Sequence, residues 1–328
     1  MRQPRIKISG EEGEAVYHCM TRTVNGERMI DDVGKEVLRK QLWQISDYCG
    51  VQVVTYALLS NHFHVLVRVP QKQPLSDEEL LRRYNVLYPK PTRFQTTRLE
   101  VIRAQLAENG PDAIAWRKRQ EALMGDVSQF MKLLKQRFSI WFNKTHQRYG
   151  TLWAERFKSV FVEPRGRVIE TMAAYIDLNC VRAGLANDPK DYRFCGYGEA
   201  VAGRVAARTG LMIALGLSDW DEAQSAYRQV LFGTGADGNE LKGSITAEAF
   251  QRVIDEGGKL PLSTVLRCRV RYFSDGAVLG SKAFVGTQLA GYRKSRQRRA
   301  RSAPKPLPPI TDWGDLTTLR GLRRQAFG

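Results

Sequence analysis

Long apolar runs are missing from this sequence. No stretch of the 328 residues approaches the roughly 20 consecutive apolar residues that a membrane-crossing helix needs. Residues 1–18 include basic side chains but lack the apolar core of a secretory signal. We therefore expect a soluble protein that works inside the cell and has no membrane partner.

Cysteine is scarce, and its spacing suits neither disulfides nor zinc. The five cysteines form no C-x-x-C pair, and their number is odd. Both facts argue against a disulfide framework and against a cysteine-based zinc knuckle. The sequence predicts buried free thiols at Cys19, Cys49, Cys180, Cys195 and Cys268.

Acidic residues are too few to balance the basic ones. Against 51 lysines and arginines there are 34 aspartates and glutamates, which gives a net charge of +17. Self-repulsion of that size disfavours a compact chain unless a polyanion is the working partner. Nucleic acid is the natural candidate. A membrane surface fits less well, because no strongly amphipathic basic helix with an aromatic, lipid-facing side is evident.

Histidine is also rare, yet two of the four histidines lie in one short stretch, NHFHVLVRV at residues 61–69. The β-branched, apolar composition of this stretch predicts a strand, and the strand period of two places His62 and His64 on the same face. The pair could bind a divalent cation or could be a buried polar pair within the sheet. Burying neutral imidazoles without partners is unfavourable, which favours the metal site. His18 and His146 lack such a neighbour and are interpreted as structural.

The periodicity of the remaining sequence predicts an α+β fold. Strand and helix signals alternate in the order strand, helix, strand, strand, and then, after an insertion of loop and short helices, helix, strand, helix. This order predicts a four-stranded antiparallel sheet with helices packed on it. The predicted elements are 15–24, 31–48, 51–59, 62–69, the insertion at 70–124, a helix that begins after Asp126, 156–163 and 168–181.

The last of these helices carries a polar stripe. Tyr175 and Asn179 are four residues apart and therefore share a face, which Arg182 continues one turn later. Taken alone, such residues are most simply explained as surface polar side chains. Next to a histidine pair, however, these side chains indicate a specific metal site. Two imidazole nitrogens and one amide oxygen can hold Mg²⁺ or Mn²⁺ and leave room for a phosphate oxygen, with Tyr175 placed to attack the phosphorus.

Four motifs together carry a family resemblance. NHFHVLV, YIDLNCVRAGL, GTLWAERFKSV and YHCMTRTVNGE look like the single-tyrosine HUH transposases, in particular the REP-associated tyrosine transposases. The similarity covers about residues 14–200, and Cys180 stands where the family commonly has proline. The resemblance implies a ferredoxin-like HUH endonuclease fold. It also implies metal-dependent nicking and strand transfer of single-stranded DNA at REP-like hairpins through a 5′-phosphotyrosine.

The resemblance also assigns roles to individual residues. Tyr175 is the expected nucleophile, and His62, His64 and Asn179 are the expected ligands of Mg²⁺ or Mn²⁺. Outside what the resemblance implies, Arg182 on the same helix face is a candidate contact for the phosphate. The expected partner is single-stranded or hairpin DNA, bound by a monomer or homodimer in the bacterial cytoplasm, at the nucleoid. Two alternatives stay open. One is a domesticated hairpin-binding protein without transposition. The other is a hydrolase that uses water as nucleophile, against which the lack of a nearby carboxylate base argues.

Several basic and aromatic residues near the catalytic motifs are candidate DNA contacts. Flat rings suit base stacking and cations suit phosphates. For the two aromatic residues, a place in the core with solvated charges around it is an equally good interpretation. The candidates are Tyr149, Trp153, Arg156, Lys158, Lys132 and Lys135.

The sequence divides into four parts. Residues 1–204 are the expected catalytic domain, with its insertion at 70–124, and 205–243 are a helical linker. Residues 244–292 predict a small helical region, either a duplex-binding unit like a helix-turn-helix or an ordinary bundle docked on the catalytic domain. Residues 293–328 form a basic, proline-rich tail that is expected to be disordered until bound. Six basic side chains fall within residues 293–301.

Overall fold

The computed structural model describes residues 13–91, 97–233, 251–253, 255–268, 272–296 and 303–319. The chain enters the fold with strand β1 (Ala15–Arg22), helix α1 (Asp32–Cys49) and the hairpin of β2 (Gln52–Leu58) and β3 (His62–Val69). The Asp31 side chain caps α1 by accepting a hydrogen bond from the amide of Gly34. Gly50, at φ 62°, ends the helix in the left-handed conformation that glycine adopts without strain.

The insertion after β3 is helical and docks on α1. It contains α2 (Asp77–Leu87), α3 (Leu99–Glu108) and α4 (Pro111–Glu121). The Tyr48 hydroxyl of α1 donates a 2.8 Å hydrogen bond to the Gln120 side chain of α4. The short helices expected in this segment therefore form one layer that covers the outer side of α1.

After the insertion the chain continues as α5 (Val127–Thr145), β4 (Lys158–Val162), α6 (Arg167–Asp177) and α7 (Asn179–Arg182). Asp126 caps α5, because its carboxylate accepts from the amides of Ser128 and Gln129. The single helix predicted over 168–181 is divided at Leu178. Three further helices complete this part: α8 (Gly196–Val201), α9 (Val205–Leu215) and α10 (Trp220–Phe232).

The predicted α+β fold is confirmed, but the sheet has seven strands rather than four. Its order is β2-β3-β1-β4-β5-β7-β6, where β5 is Val278–Ser281, β6 is Lys305–Pro306 and β7 is Leu316–Leu319. The first four strands are antiparallel neighbours, as in a ferredoxin-like sheet, and β5 joins β4 in parallel. Pairing with β5 removes the open edge that β4 would otherwise present. The added strands are too short to show a period of two in the sequence.

The C-terminal segment departs from the expected disordered tail. Helices α11 (Leu262–Arg267) and α12 (Tyr272–Asp275) lead into β5, and α13 (Lys282–Arg296) takes in the first four residues of the basic run. Residues 303–319 contain β6 and β7 and bury several apolar side chains. This burial stabilises a folded conformation of the segment, although it contains prolines. These side chains are Leu307, Ile310, Trp313, Leu316 and Leu319. The rest of the basic run lies outside the described residues.

The two faces of the sheet are covered by different helices. Strand register places Phe63 on the face opposite the histidines, where its ring lies 5.6 Å from that of Trp153. Trp153 in turn packs 5.8 Å from Phe138 of α5. The histidine face packs against α6. None of the described helices has the length and apolar composition to cross a bilayer.

Helix α6 is fixed to the fold by a buried carboxylate. Asp177 accepts hydrogen bonds from the Thr55 hydroxyl at 2.9 Å, the Tyr227 hydroxyl at 2.5 Å and the Tyr197 amide at 3.1 Å. These donors come from β2, α10 and α8. Burial raises the pKa of this carboxyl to about 6, against the opposing effect of the three hydrogen bonds. Asp177 therefore sets how the helix lies on the sheet.

We expect Asp177→Ala to lower the free energy of unfolding by about 3 to 5 kcal/mol, because three buried donors lose their acceptor. Urea unfolding followed by circular dichroism measures this loss. Asp221→Ala serves as the control, since Asp221 is exposed on α10, and we expect it to change the stability by no more than about 0.5 kcal/mol. Equal stability of the two variants would contradict the anchoring role of Asp177.

Candidate active site

Strand β3 presents both histidines towards α6. The ring centroids of His62 and His64 are 5.2 Å apart. His64 is buried, and His62, at the start of the strand, is half-buried. The pair predicted from the strand period therefore lies on one face, with one imidazole at the rim of the site and the other beneath it.

The neighbouring amide of Asn61 orients His62. The Asn61 side-chain nitrogen donates to the carbonyl of Gly26 at 2.9 Å, which leaves its oxygen facing the His62 Nδ1 atom at 2.6 Å. An amide oxygen only accepts, so Nδ1 of His62 carries a proton and donates. When the ring is neutral, its Nε2 atom carries the lone pair that a metal ion requires.

A third histidine, His18 on β1, joins the site. Its Nε2 atom lies 2.8 Å from Nδ1 of His64, and its Nδ1 atom lies 2.9 Å from the carbonyl oxygen of Phe273. The sequence alone predicts a structural role for His18, because it has no histidine two positions away. Its partner is diagonal across the strand pair, since Met20 stands opposite His64 in the register. Only the pairing of β1 with β3 reveals that contact.

Burial keeps the two inner imidazoles neutral. It lowers the pKa of His18 to about 4, and Arg182 contributes to the same effect. Burial also holds the pKa of His64 well below its usual value, and the neighbouring His18 and His62 lower it further. Neutral imidazole is the form in which histidine binds metals.

Tyr175 reaches the histidine cluster from α6. Its ring centroid lies 6.4 Å from that of His64 and 6.2 Å from that of His18. The ring of Phe273 packs against it at 4.7 Å, and the guanidinium of Arg182 lies 4.3 Å from its centroid. Only 5% of the tyrosine is exposed. The fold thus brings together a phenol and a histidine pair that are far apart in the sequence.

The other two residues of the predicted stripe contact the backbone around Tyr175. The Asn179 side-chain nitrogen donates to the carbonyls of Tyr175 and Ile176, at 3.2 and 3.0 Å, so its oxygen is the atom that could coordinate a cation. Arg182 donates to the carbonyl of Tyr175 at 2.5 Å and to that of Leu266. Its guanidinium therefore connects α7, the tyrosine and α11.

Cationic side chains border the histidine face. The exposed Arg22 stands directly opposite His62 in the β1 and β3 pairing. Met20 pairs with His64 on one side and with Lys158 on the other, so Lys158 shares that face about 10 Å away, at two strand spacings. Its amine also lies 3.2 Å from Glu155. Lys158 is among the candidates predicted from the sequence, whereas Arg22 is not, because its position beside His62 depends on strand register.

Of the remaining predicted DNA contacts, some lie at the surface and one lies in the core. Tyr149 is 98% exposed just after α5, and Arg156 and Lys132 are exposed as well. Lys135 is partly buried, and its amine donates to the carbonyl of Glu155 at 2.6 Å. Trp153, in contrast, is buried between Phe63 and Phe138 and donates to the carbonyl of Lys135. It belongs to the core, where its ring has no open face for a base.

Within the described part of the chain, no group of three or more histidine, cysteine, aspartate or glutamate side chains is arranged to hold a metal ion. The predicted ligand set contains two such side chains, His62 and His64, together with the amide of Asn179. Imidazole nitrogens and an amide oxygen are ligands that Mg²⁺ and Mn²⁺ can accept, so the chemistry of these three side chains fits that set.

Comparisons with known proteins bear on the first part of the chain. Residues 13–81 match the family described as transposase IS200 like. This segment spans β1, α1, β2 and β3, and the match confirms the resemblance drawn from the histidine strand. The solved structure of a REP-associated tyrosine transposase bound to a REP hairpin is similar to this chain at 13% identity and a TM-score of 0.37, over 67% of this chain and 90% of that chain. A search of curated protein sequences finds no match.

Proposed function

We propose, for a chain whose residues 13–81 match the IS200-like transposases, that this protein nicks single-stranded DNA beside a hairpin and transfers the cut strand through a covalent phosphotyrosine. The observation that carries this proposal is the meeting of Tyr175 with His64 and His18 on one face of the sheet. A tyrosine used only for packing would not need a neutral histidine pair and a guanidinium beside its ring.

The reaction that suits this arrangement is a transesterification. The Tyr175 oxygen attacks the phosphorus of a phosphodiester, a bond forms between them, and the bond from phosphorus to the 3′ oxygen breaks. The phenol loses its proton, and the departing 3′ oxygen gains one. The products are a 5′-phosphotyrosine and a free 3′-OH. Attack by a second 3′-OH reverses the step and joins a new strand, so resealing needs no ATP.

His62, His64 and Asn179 are the residues that would hold Mg²⁺ or Mn²⁺. Such an ion, when bound, supplies Lewis-acid stabilisation to the charge that develops on the phosphate oxygens. The chain's own contribution is orientation: Asn61 aligns His62, and the carbonyls of Tyr175 and Ile176 hold the Asn179 amide. Arg182 lies over the face of the tyrosine ring in a cation–π contact that helps to hold the ring in place.

DNA would reach this site along a basic border. Arg22 and Lys158 share the histidine face, and the exposed Arg156 and Lys132 extend the positive charge beyond it. Tyr149 offers an open ring for base stacking. These positions, together with the net charge of +17, favour a single strand that is held mainly through its phosphates. The place of action that follows from such a substrate is the bacterial cytoplasm.

The experiment that tests the proposal uses hairpin DNA from the flanks of the protein's own gene. The protein is incubated with the labelled single strand and Mg²⁺ or Mn²⁺, and the products are separated by denaturing electrophoresis. We expect a protein-linked DNA band and a matching free 3′ fragment. Tight binding without any linked band would instead favour the domesticated hairpin-binding protein.

The basic run at residues 293–301 should add affinity but no sequence selection. Neutralising its six basic residues to glutamine removes up to six phosphate contacts, each worth about 0.7 in the slope of log affinity against log salt for single strands. We expect binding to weaken most at low salt while the nick stays at the same nucleotide. Binding titrations at several salt concentrations and nick mapping measure both.

Substitution is preferable here to removal of residues 293–328, because that deletion would also remove β6 and β7. An unchanged salt slope would show that the run does not touch the DNA. A displaced nick would show that it helps to select the site.

A further inference from the structure

The contact between His18 and His64 belongs to a chain of hydrogen bonds that crosses the site. The chain begins at the backbone carbonyl of Phe273 in α12, which faces Nδ1 of His18 at 2.9 Å. It continues from Nε2 of His18 to Nδ1 of His64 at 2.8 Å. His18 and Phe273 are wholly inaccessible to solvent, and His64 is only 7% exposed. Both hydrogen bonds therefore lie in a buried part of the fold.

The direction of these hydrogen bonds follows from the chemistry of the first acceptor. A carbonyl oxygen cannot donate, so the proton between Phe273 and His18 resides on Nδ1 of His18. A neutral imidazole has a single N–H, which leaves Nε2 of His18 as an acceptor. The donor to that atom must be Nδ1 of His64, and the Nε2 atom of His64 is then left unprotonated.

The opposite arrangement is unfavourable at the contact with Phe273. If His18 carried its proton on Nε2, its Nδ1 lone pair would face the Phe273 carbonyl oxygen at 2.9 Å. Two buried acceptors would then meet without a proton between them. The His64 tautomer is thus determined by a carbonyl group more than 200 residues away in the sequence, on a segment that sequence analysis assigned to a separate C-terminal region.

We propose that His18 is a positioning residue, which carries a hydrogen bond from the Phe273 carbonyl to His64 and so holds His64 in the tautomer whose Nε2 lone pair can bind a divalent cation. The part of this inference that concerns cation binding by His64 rests on the proposed function. Asn61 does the same for His62. Both metal-binding imidazoles therefore present Nε2, and each is oriented by a hydrogen bond to its Nδ1 atom.

The hydrogen bonds that link the Phe273 carbonyl, His18 and His64 form a histidine relay, which gives the C-terminal segment a part in the candidate active site. Helix α12 precedes β5, which is paired with β4 through Phe161 and Val162. The sheet therefore fixes the position of the Phe273 carbonyl relative to His18. The Phe273 ring also packs on Tyr175, so one residue of α12 contacts both the nucleophile and the histidine relay.

The tautomer can be measured without any metal or DNA. In ¹⁵N-labelled protein, long-range proton–nitrogen NMR spectra distinguish a protonated Nδ1 from a protonated Nε2 in each histidine. We expect His64 in the wild type to carry its proton on Nδ1. In His18→Leu the acceptor is lost, and we expect a mixture of both tautomers. His18→Gln, whose side-chain oxygen can accept from His64, should restore the wild-type form.

Metal binding provides the second measurement. Titration calorimetry with Mn²⁺ alone should show an affinity about 10- to 100-fold weaker in His18→Leu, as is typical when the hydrogen-bond partner of a metal-binding histidine is removed. We expect His18→Gln to recover most of that loss. His146→Gln is the matched control, because His146 is exposed at the end of α5, and its affinity should equal that of the wild type.

The outcomes separate the relay from the metal site. A wild-type His64 protonated on Nε2, or a His18→Leu variant with an unchanged tautomer, would overturn the relay whatever the metal does. A tautomer that shifts in His18→Leu while Mn²⁺ affinity stays constant would overturn the proposed metal site and leave the relay in place. If His18→Leu fails to fold, the wild-type spectrum and His18→Gln still decide the question.

Discussion

Tyr175→Phe should abolish the covalent DNA adduct while leaving hairpin binding intact. The substitution removes one oxygen atom and keeps the ring that packs on Phe273 and beneath Arg182. Because that oxygen is the proposed nucleophile, we expect the yield of linked DNA to fall by at least about a thousandfold. Gel-shift titration should give a dissociation constant close to that of the wild type, since the phosphate contacts are unchanged.

The control for this result is another tyrosine that loses its hydroxyl. Tyr88 lies in the helical insertion against Tyr48 and Tyr84, away from the histidine face. Tyr88→Phe should therefore retain the adduct. A normal adduct yield from Tyr175→Phe would refute the assignment of the nucleophile. Loss of binding together with the adduct would show that the oxygen helps to hold the DNA.

Local sequence patterns were sufficient to predict which candidate site residues are close along the backbone. His62 and His64 share a face because a strand has a period of two. Asn179 follows Tyr175 by one helical turn, and its amide still reaches the Tyr175 carbonyl across the break at Leu178. Neither relation depends on elements that are distant in the sequence. The first four strands could likewise be predicted, since each strand is long enough to show its own apolar pattern. Their ferredoxin-like arrangement was expected from the family resemblance.

What sequence analysis missed depends on pairing between distant elements. His18 meets His64 diagonally across two strands, and Arg22 faces His62 because of the same register. No spacing within the sequence encodes a register. The strands β5, β6 and β7 have four, two and four residues, too few for periodicity to distinguish them from loops. The tail was accordingly predicted to be disordered, although its apolar residues are buried.

Trp153 illustrates a different limit of prediction from the sequence. A flat ring among basic residues suits both base stacking and core packing, and the sequence cannot distinguish these two uses. The structure does, because Phe63 and Phe138 occupy the surroundings of the ring. The exposed Tyr149, four residues earlier, remains a candidate for base stacking, whereas the buried Trp153 does not. Burial alone therefore decides which of two similar aromatic residues remains a candidate for contact with DNA.

His64→Ala and His62→Ala should each abolish cleavage, and EDTA should do so reversibly. All three changes remove the same Lewis-acid stabilisation, which is worth several kcal/mol, so we expect the rate to fall by about a thousandfold or more. Added Mg²⁺ or Mn²⁺ should restore the EDTA-treated wild type but neither variant. Single-turnover cleavage of the labelled hairpin, quenched and resolved by denaturing electrophoresis, measures the rate.

Two comparisons make this test specific to the metal. His146→Ala changes an exposed histidine at the end of α5, and it should cleave like the wild type. The variants should also differ from each other, because His64 is buried against His18 whereas His62 is half-buried at the strand's start. We therefore expect His64→Ala alone to lower the midpoint of urea unfolding measurably. Full activity in EDTA would leave both histidines with a structural role, and the proposed metal dependence would be wrong.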